Sequence, residues 1–239
     1  MKAIIIGASS GIGAALAKIM AESGYELGLT ARRTEKLESL AAQLPTKSYL
    51  QTMDVTKTEA ARAAFLELIE QMNGIDVVII NAGVGEITTR WEKEHNIINT
   101  NVTGFAAIAN AAFYYFQSQQ QKGHIVGISS LAALRGGSRI PSYHASKAFI
   151  SSYMQGLRYR AVRKKLDIAI TDIRPGFVKT EMTEKNDFMI WAATADKAAT
   201  QIFSAIKRRK KIAYITKRWD LVAFLSLIHI SEPTRHRRI

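Results

Sequence analysis

The sequence predicts an α/β chain: a doubly wound parallel sheet of about seven strands, with helices on both faces, in a single domain. Three observations predict it. Short, continuous apolar runs alternate with longer segments of helical apolar spacing, from the first residues to about Thr216. No internal repeat, linker or second domain interrupts that alternation. A chain of 239 residues, 47% of them apolar, can fill one large core of this kind.

Taken in order, the elements are "AIIIG" then "GAALAKIMAES", "ELGLT" then "TEKLESLAAQL", and "YLQTMDV" then "TEAARAAFLELIEQM". "IDVVII" precedes a long helix through "NIINTNVTGFAAIANAAFYYF". "HIVGIS" precedes a helix opened by "YHASK", "DIAITDI" precedes one near "ADKAATQIFSAI", and "IAYIT" closes the set. Strands that are apolar throughout, rather than alternating, are covered on both faces, which is the pattern of a parallel sheet. Right-handed crossovers then wind it in two directions and place ligands at the carboxyl ends of the strands, near the switch point.

The chain contains no cysteine, so disulfides and thiolate metal sites are excluded. The opening "MKAIIIGASSG" reads as a first strand, without the long apolar region or cleavage site of a leader, and no apolar run is long enough to span a bilayer. A cytoplasmic location is the expectation. Net charge is +13, but the basic residues lie in "ARR", "RYRAVRKK", "KRRKK" and the tail, with no recognition helix or stacking platform, so nucleic-acid binding is not expected. Leu225 to Arg235 resembles a translated sequencing adapter, so the domain is read as residues 1–224 and residues 225–239 as a non-native tail. Without its three arginines and one glutamate the chain still carries +11. Membrane contact is expected only through the C-terminus that such a tail would replace.

The first strand ends in "GASSGIG", Gly7 to Gly13, a strand-to-helix turn in which Gly7, Gly11 and Gly13 allow close backbone approach to a pyrophosphate. The N–H groups of Ser9, Ser10, Gly11 and Ile12 at the helix start suit its charge. After the second strand, "LTARRTEK" has Thr30 and Ala31 where a carboxylate would hold a ribose hydroxyl. Arg32 and Arg33 suit a ribose 2′-phosphate instead, which predicts NADPH in preference to NADH, with Arg32 as the dominant contact and Arg33 partly solvated. Further along, "YHASK" sets Tyr143 and Lys147 four residues apart, on one helix face. An ammonium beside a phenol favours the phenolate and makes a tuned acid/base, although an isolated pair with this spacing can equally be solvated surface.

The GxxxGxG glycines, "NAG" at Asn81 to Gly83, the asparagine of "NVTG", Ser130 thirteen residues before Tyr143, YxxxK and "RPGFVKT" form one ordered set from Lys2 to Thr216. Together they resemble the compact, single-domain short-chain dehydrogenase/reductase family, a Rossmann-fold family. Ile6 and Ile80 depart from residues frequent there, at strand ends that carry no chemistry. The resemblance implies that Tyr143 is the catalytic acid/base, that Lys147 lowers its pKa and holds the nicotinamide ribose, and that Ser130 hydrogen-bonds the carbonyl oxygen. Asn101 would steady water behind Lys147. Asp54 and its neighbour Val55 would meet the adenine, and Asn81, Ala82 and Gly83 the adenosine side. Pro175, Gly176, Val178 and Thr180 would flank the nicotinamide. The implied reaction is NADPH-dependent reduction of a ketone or aldehyde to an alcohol, or its reverse, on a small-molecule substrate, by a homodimer or homotetramer. A non-catalytic dinucleotide sensor or scaffold is the alternative. Met182, Phe188, Met189 and Trp191 in the short segment "EMTEKNDFMIWAAT" either face an apolar substrate or pack the segment down, and Arg135 and Arg139 either meet an acidic substrate or are solvated.

Overall fold

Ile4, Ile5 and Ile6 point to alternate faces of one strand, yet none is more than 1% exposed, so both faces of the sheet must be covered. The computed structural model, which describes residues 1–86, 90–184, 189 and 191–216, meets that requirement with seven parallel strands. They are β1 (Lys2–Ile6), β2 (Glu26–Ala31), β3 (Ser48–Thr52), β4 (Val77–Ile80), β5 (Gly123–Ile128), β6 (Ile168–Pro175) and a last strand, β9 (Ile212–Ile215). Their order is β3-β2-β1-β4-β5-β6-β9, so the winding reverses between β1 and β4. A separate two-stranded pair, β7 (Val178–Lys179) and β8 (Ala193–Thr194), follows β6.

Helices α1 (Gly11–Glu22), α2 (Thr34–Ala41) and α7 (Ala195–Lys207) cover one face. There Leu16, Leu37 and Ile202 pack with Ile5, Leu29 and Val126. The other face is covered by α3 (Thr58–Gln71), α5 (Phe105–Gln119) and α6 (Pro141–Arg163), whose Phe65, Phe113 and Met154 pack with Ile4, Val78 and Ile125. The predicted sheet and its two helical layers are therefore present.

One predicted helix is not continuous. The segment read as a single helix from Asn96 to Phe116 comprises α4 (Trp91–Ile98), a π-helical turn over Asn99–Gly104, and α5. The amide of Asn101 causes the detour: it donates to the Val84 carbonyl and accepts from the Val84 N–H, both at 2.8 Å, and so is drawn toward the end of β4. Phe188 and the expected boundary at 224/225 lie outside the described residues. Among the described residues no helix is long and apolar enough to cross a membrane, and no His, Asp and Glu group has the arrangement of a metal site.

His124 ties β5 to β6 at the edge remote from the strands' carboxyl ends. Its Nε2 lies 2.8 Å from the Thr171 hydroxyl, which itself donates to the Lys210 carbonyl, so Nε2 carries a proton and donates it to Thr171. Burial, with a contribution from Arg209, pushes its pKa down to about 4 from 6.5. A depressed histidine means that the unfolded chain binds the extra proton first, so stability is intact above pH 6.5 and falls as the pH drops toward 4. The expected loss across that window is on the order of 3 kcal/mol. Urea unfolding of the wild type and His124→Asn at pH 7 and pH 4.5 checks this: the acid-dependent loss should shrink in the variant, and an equal loss in both proteins would contradict it.

Candidate active site at the sheet's switch point

The reversal between β1 and β4 opens a crevice at the carboxyl ends of the two strands, and the chain bridges it at once. Asn81, just after β4, donates its Nδ2 to the carbonyl of Gly7, just after β1, at 2.7 Å. Gly7 is at φ +87°, a conformation that a side chain strains, while its N–H bonds the Thr30 carbonyl at 2.8 Å. Gly13 lies beneath this turn: a Cβ there would stand 2.2 Å from the Gly7 oxygen and 2.7 Å from Asn81 Nδ2. The packing explains why the helix start can come so close to the strand end. Ser10 caps α1 in an extended conformation without a side-chain hydrogen bond to the helix N–H groups, and no acidic residue occupies the first turn, which leaves the positive end of α1 facing the crevice.

Arg33 spans the outer part of the crevice. Its Nη2 donates to Ser9 Oγ at 3.1 Å and to Ser10 Oγ at 3.0 Å, while Nη1 pairs with Glu181 at 3.0 Å. Lys36 reaches the other Glu181 oxygen at 2.5 Å. Lys36 and then Arg33 hold the Glu181 carboxyl below the usual carboxylate range. Arg32 is the exposed residue of the pair, and Arg33 is the one that reaches the serines of the glycine turn. The reason is local: Arg33 is the extended cap of α2 and turns its side chain back over the glycine turn, whereas Arg32 leaves the strand toward solvent and lies close enough to Asp54 to favour its ionised form. Burial pushes the Asp54 carboxyl up, but two hydrogen bonds from Thr56, with Arg32 and Lys57, outweigh it and leave the pKa lowered.

Deeper in, Lys147 is 6% exposed, and its Nζ donates to the Ile128 carbonyl at 3.1 Å. It lies 5.6 Å from the centre of the Tyr143 ring. Burial lowers its pKa to about 8, opposed by the charge of Asp172. Tyr143 is raised above its ordinary value of 10.0, first by burial, against a hydrogen bond with Ser130 that pulls it down. Ser130 accepts from the Ala132 N–H at 3.1 Å and lies 3.4 Å from the Pro175 carbonyl. Asn101, fully buried, donates to Ser146 at 3.0 Å, one residue before Lys147.

One cleft therefore gathers Gly7, Ser9, Ser10, Gly11, Ile12, Arg32, Arg33, Asp54, Val55, Asn81, Ala82 and Gly83 with Ser130, Tyr143, Lys147, Pro175, Gly176, Val178 and Thr180. Gly13 and Asn101 do not line it; they stand behind it, one under the glycine turn and the other under Gly83, where an added Cβ would lie 3.3 Å from Asn101 Oδ1 and 3.4 Å from Lys147 Nζ. Sequence reasoning missed Lys36 and Glu181 at the outer end, Gly85, where an added Cβ would lie 3.0 Å from the Tyr143 ring, and His144, whose Nδ1 donates to the Arg135 carbonyl at 2.6 Å and anchors the loop before α6. Only His144 had a local signal, as the neighbour of Tyr143.

Comparison with known proteins gives the family. The short chain dehydrogenase family profile matches residues 1–190, and the chain belongs to that family. An uncharacterized oxidoreductase of Myxococcus xanthus is 38% identical over 78% of this chain and 75% of its own length. The human 3-oxoacyl-[acyl-carrier-protein] reductase is 31% identical, over 75% and 76% respectively. A short-chain dehydrogenase from Sphingobium yanoikuyae, solved in complex with NADPH, superposes with TM-score 0.80 at 25% identity over 98% of both chains. The protein is thus an NAD(P)-dependent oxidoreductase of the short-chain dehydrogenase/reductase family.

Since a Cβ at Gly13 would collide with the Gly7 carbonyl at 2.2 Å, Gly13→Ala should shift the glycine turn and weaken dinucleotide binding. Overpacking of 1–3 kcal/mol corresponds to roughly ten-fold or more in affinity. Fluorescence titration with NADPH of the folded variant checks it; unchanged affinity would mean that the turn does not form the binding surface.

Proposed function

We propose that the protein is an NADPH-dependent carbonyl reductase in which Tyr143 delivers a proton to the oxygen of a ketone or aldehyde. The observation that carries this reading is the charge arrangement at the cleft floor: a phenol that burial keeps protonated, next to a buried ammonium and hydrogen-bonded to Ser130. A protonated phenol is a proton donor at neutral pH, which is the role that carbonyl reduction requires. The human 3-oxoacyl-[acyl-carrier-protein] reductase, by its name, points the same way.

The cleft fits the dinucleotide. Gly7 lets the turn close against Ala82, where a Cβ would stand 2.7 Å from the Ala82 nitrogen, the free end of α1 faces the pyrophosphate position, and Glu181 already places an anion between Arg33 and Lys36, where a 2′-phosphate would compete for the same cations. When bound, the nicotinamide supplies the hydride. The chain does the rest. Ser130 hydrogen-bonds the substrate oxygen, Tyr143 passes it the phenolic proton, and Lys147 stabilises the charge left on the phenol. Pro175, Gly176, Val178 and Thr180 wall the reacting end, and Asp54 and Val55 the adenine end. Met182 and Trp191, each about half exposed beside this wall, support an apolar or acyl-chain substrate. Exposed Tyr114, Tyr159 and Val162 on α5 and α6 support pairing of two copies through these helices.

Tyr143→Phe should lower turnover by at least roughly a thousand-fold, within the usual range for removing a positioned proton donor, while NADPH affinity stays within a few-fold. Stopped-flow and steady-state absorbance with a panel of ketones, aldehydes and diketones measures both. Near-normal turnover would sink the acid/base assignment, and NADPH binding without turnover of any carbonyl by the wild type would favour a sensor.

For cofactor choice, Arg33→Ala should weaken NADPH by about ten- to a hundred-fold, the effect of one charge-assisted hydrogen bond, with a smaller change for Arg32→Ala. NADH, which lacks the phosphate, should be nearly unaffected. Dissociation constants at low salt decide, because exposed charges are screened at high salt. A wild type that prefers NADH, or equal losses for both cofactors, would overturn the phosphate reading.

A further inference from the structure

Behind the cleft lies a polar cluster for which neither cofactor nor substrate accounts. Asp172, on β6, is 1% exposed. One of its oxygens accepts a short hydrogen bond from Ser129; the other accepts from Ser151 at 2.7 Å and from Arg174 Nε at 2.7 Å. Arg174 in turn donates to the Tyr214 hydroxyl, on β9, at 3.0 Å. Removing a carboxylate from water is unfavourable, and an apolar cluster of similar shape would stabilise the fold as well. The position of Asp172 relative to the cleft suggests what it does instead.

Each partner of Asp172 adjoins a residue of the proposed acid/base group. Ser129 lies between Ile128, whose carbonyl accepts from Lys147 at 3.1 Å, and Ser130. Ser151 is four residues beyond Lys147, on the same face of α6. Arg174 directly precedes Pro175, whose carbonyl is 3.4 Å from the Ser130 hydroxyl. We propose that Asp172 is the buried counter-charge that keeps Lys147 a cation, and that through Ser129 and Ser151 it fixes the end of β5 beneath the helix that carries Tyr143 and Lys147. The inference rests on the reading of Tyr143 and Lys147 as the acid/base pair, and it makes Asp172 a positioning residue.

The charges around it agree in sign. From α6, Lys147 and Arg158 face the carboxylate; from β6, Arg174; from β9, the neutral Tyr214 phenol; β5 contributes only the uncharged Ser129. Burial drives Lys147 toward its neutral form, and Asp172 opposes that drift. Arg174 absorbs part of the same field through its ion pair with Asp172.

In Asp172→Asn, Lys147 should lose its proton at a lower pH than in the wild type, by about one pH unit. Two measurements on the full chain read this. The first, without cofactor, is nitrogen-15 NMR of lysine-labelled protein, with the Lys147 signal assigned by its absence in Lys147→Met. The second is the pH profile of kcat/KM for carbonyl reduction, whose alkaline limb should move to lower pH in step. Ser151→Ala, which keeps the charge, should leave the Lys147 midpoint in place. A folded Asp172→Asn with an unmoved midpoint, or a uniform loss of activity without a shifted limb, would reduce Asp172 to scaffold and overturn the proposal. So would an equal shift in Ser151→Ala. If Asp172→Asn fails to fold, Arg174→Met carries the test with the opposite sign: freed from its partner, the carboxylate should raise the Lys147 midpoint, and an unchanged midpoint would refute it. Should the wild type reduce no carbonyl, the reductase reading fails while the NMR arm still decides the role of Asp172.

Discussion

An ammonium at the floor of the cleft, nearly sealed from water, is the constraint around which the site is built. Burial pulls the Lys147 ammonium toward its neutral form, and a neutral amine could neither stabilise a phenolate nor attract a ribose. The carbonyl of Ile128 and the carboxylate of Asp172 act against that tendency, and the detour that brings Asn101 to Ser146 stands behind the lysine. Each comes from a different element: the end of β5, the π-helical turn before α5, and β6. The proposed acid/base pair on α6 therefore comes together only when the sheet and its second helical layer are assembled.

The same assembly explains why binding and chemistry occur at one edge. Parallel strands direct all their carboxyl ends one way, and the reversal between β1 and β4 separates two of those ends. The Asn81 to Gly7 hydrogen bond spans the gap and sets the glycine turn against the start of α1. Arg33, Lys36 and Glu181 form a second bridge farther out, from α2 to the segment after β7. Because these ion pairs are exposed, their energy is small, and an incoming phosphate can replace the Glu181 carboxylate at little loss.

Much of this was legible in the sequence because it is local in the chain. The glycine turn occupies seven consecutive residues, and Tyr143 and Lys147 meet because a helix places fourth neighbours on one face. Apolar runs uninterrupted by polar residues predicted a sheet buried on both sides, which the isoleucines of β1 confirm. What escaped was long-range or geometric. Asp172 meets Ser129 across 43 positions and Glu181 meets Lys36 across 145, and no periodicity links such residues. The π-helical turn at Asn99–Gly104 was invisible because apolar spacing continues through it. Which of Arg32 and Arg33 reaches over the glycine turn was not legible, because the direction of each side chain depends on the backbone at the strand end, which composition does not specify.

The central claim is that this buried phenol and ammonium serve carbonyl reduction, with the carbon's hydrogen coming from the dinucleotide and the oxygen's proton from Tyr143. The most direct measurement is the fate of label: C4-deuterated NADPH with a reducible ketone in ordinary water, and unlabelled NADPH with the same ketone in heavy water, the alcohols being read by NMR. The account predicts one deuterium on the former carbonyl carbon, in a single configuration, from the labelled cofactor, and none on that carbon from heavy water. Deuterium arriving at the carbon from solvent, or NADPH consumed without label in the alcohol, would contradict it.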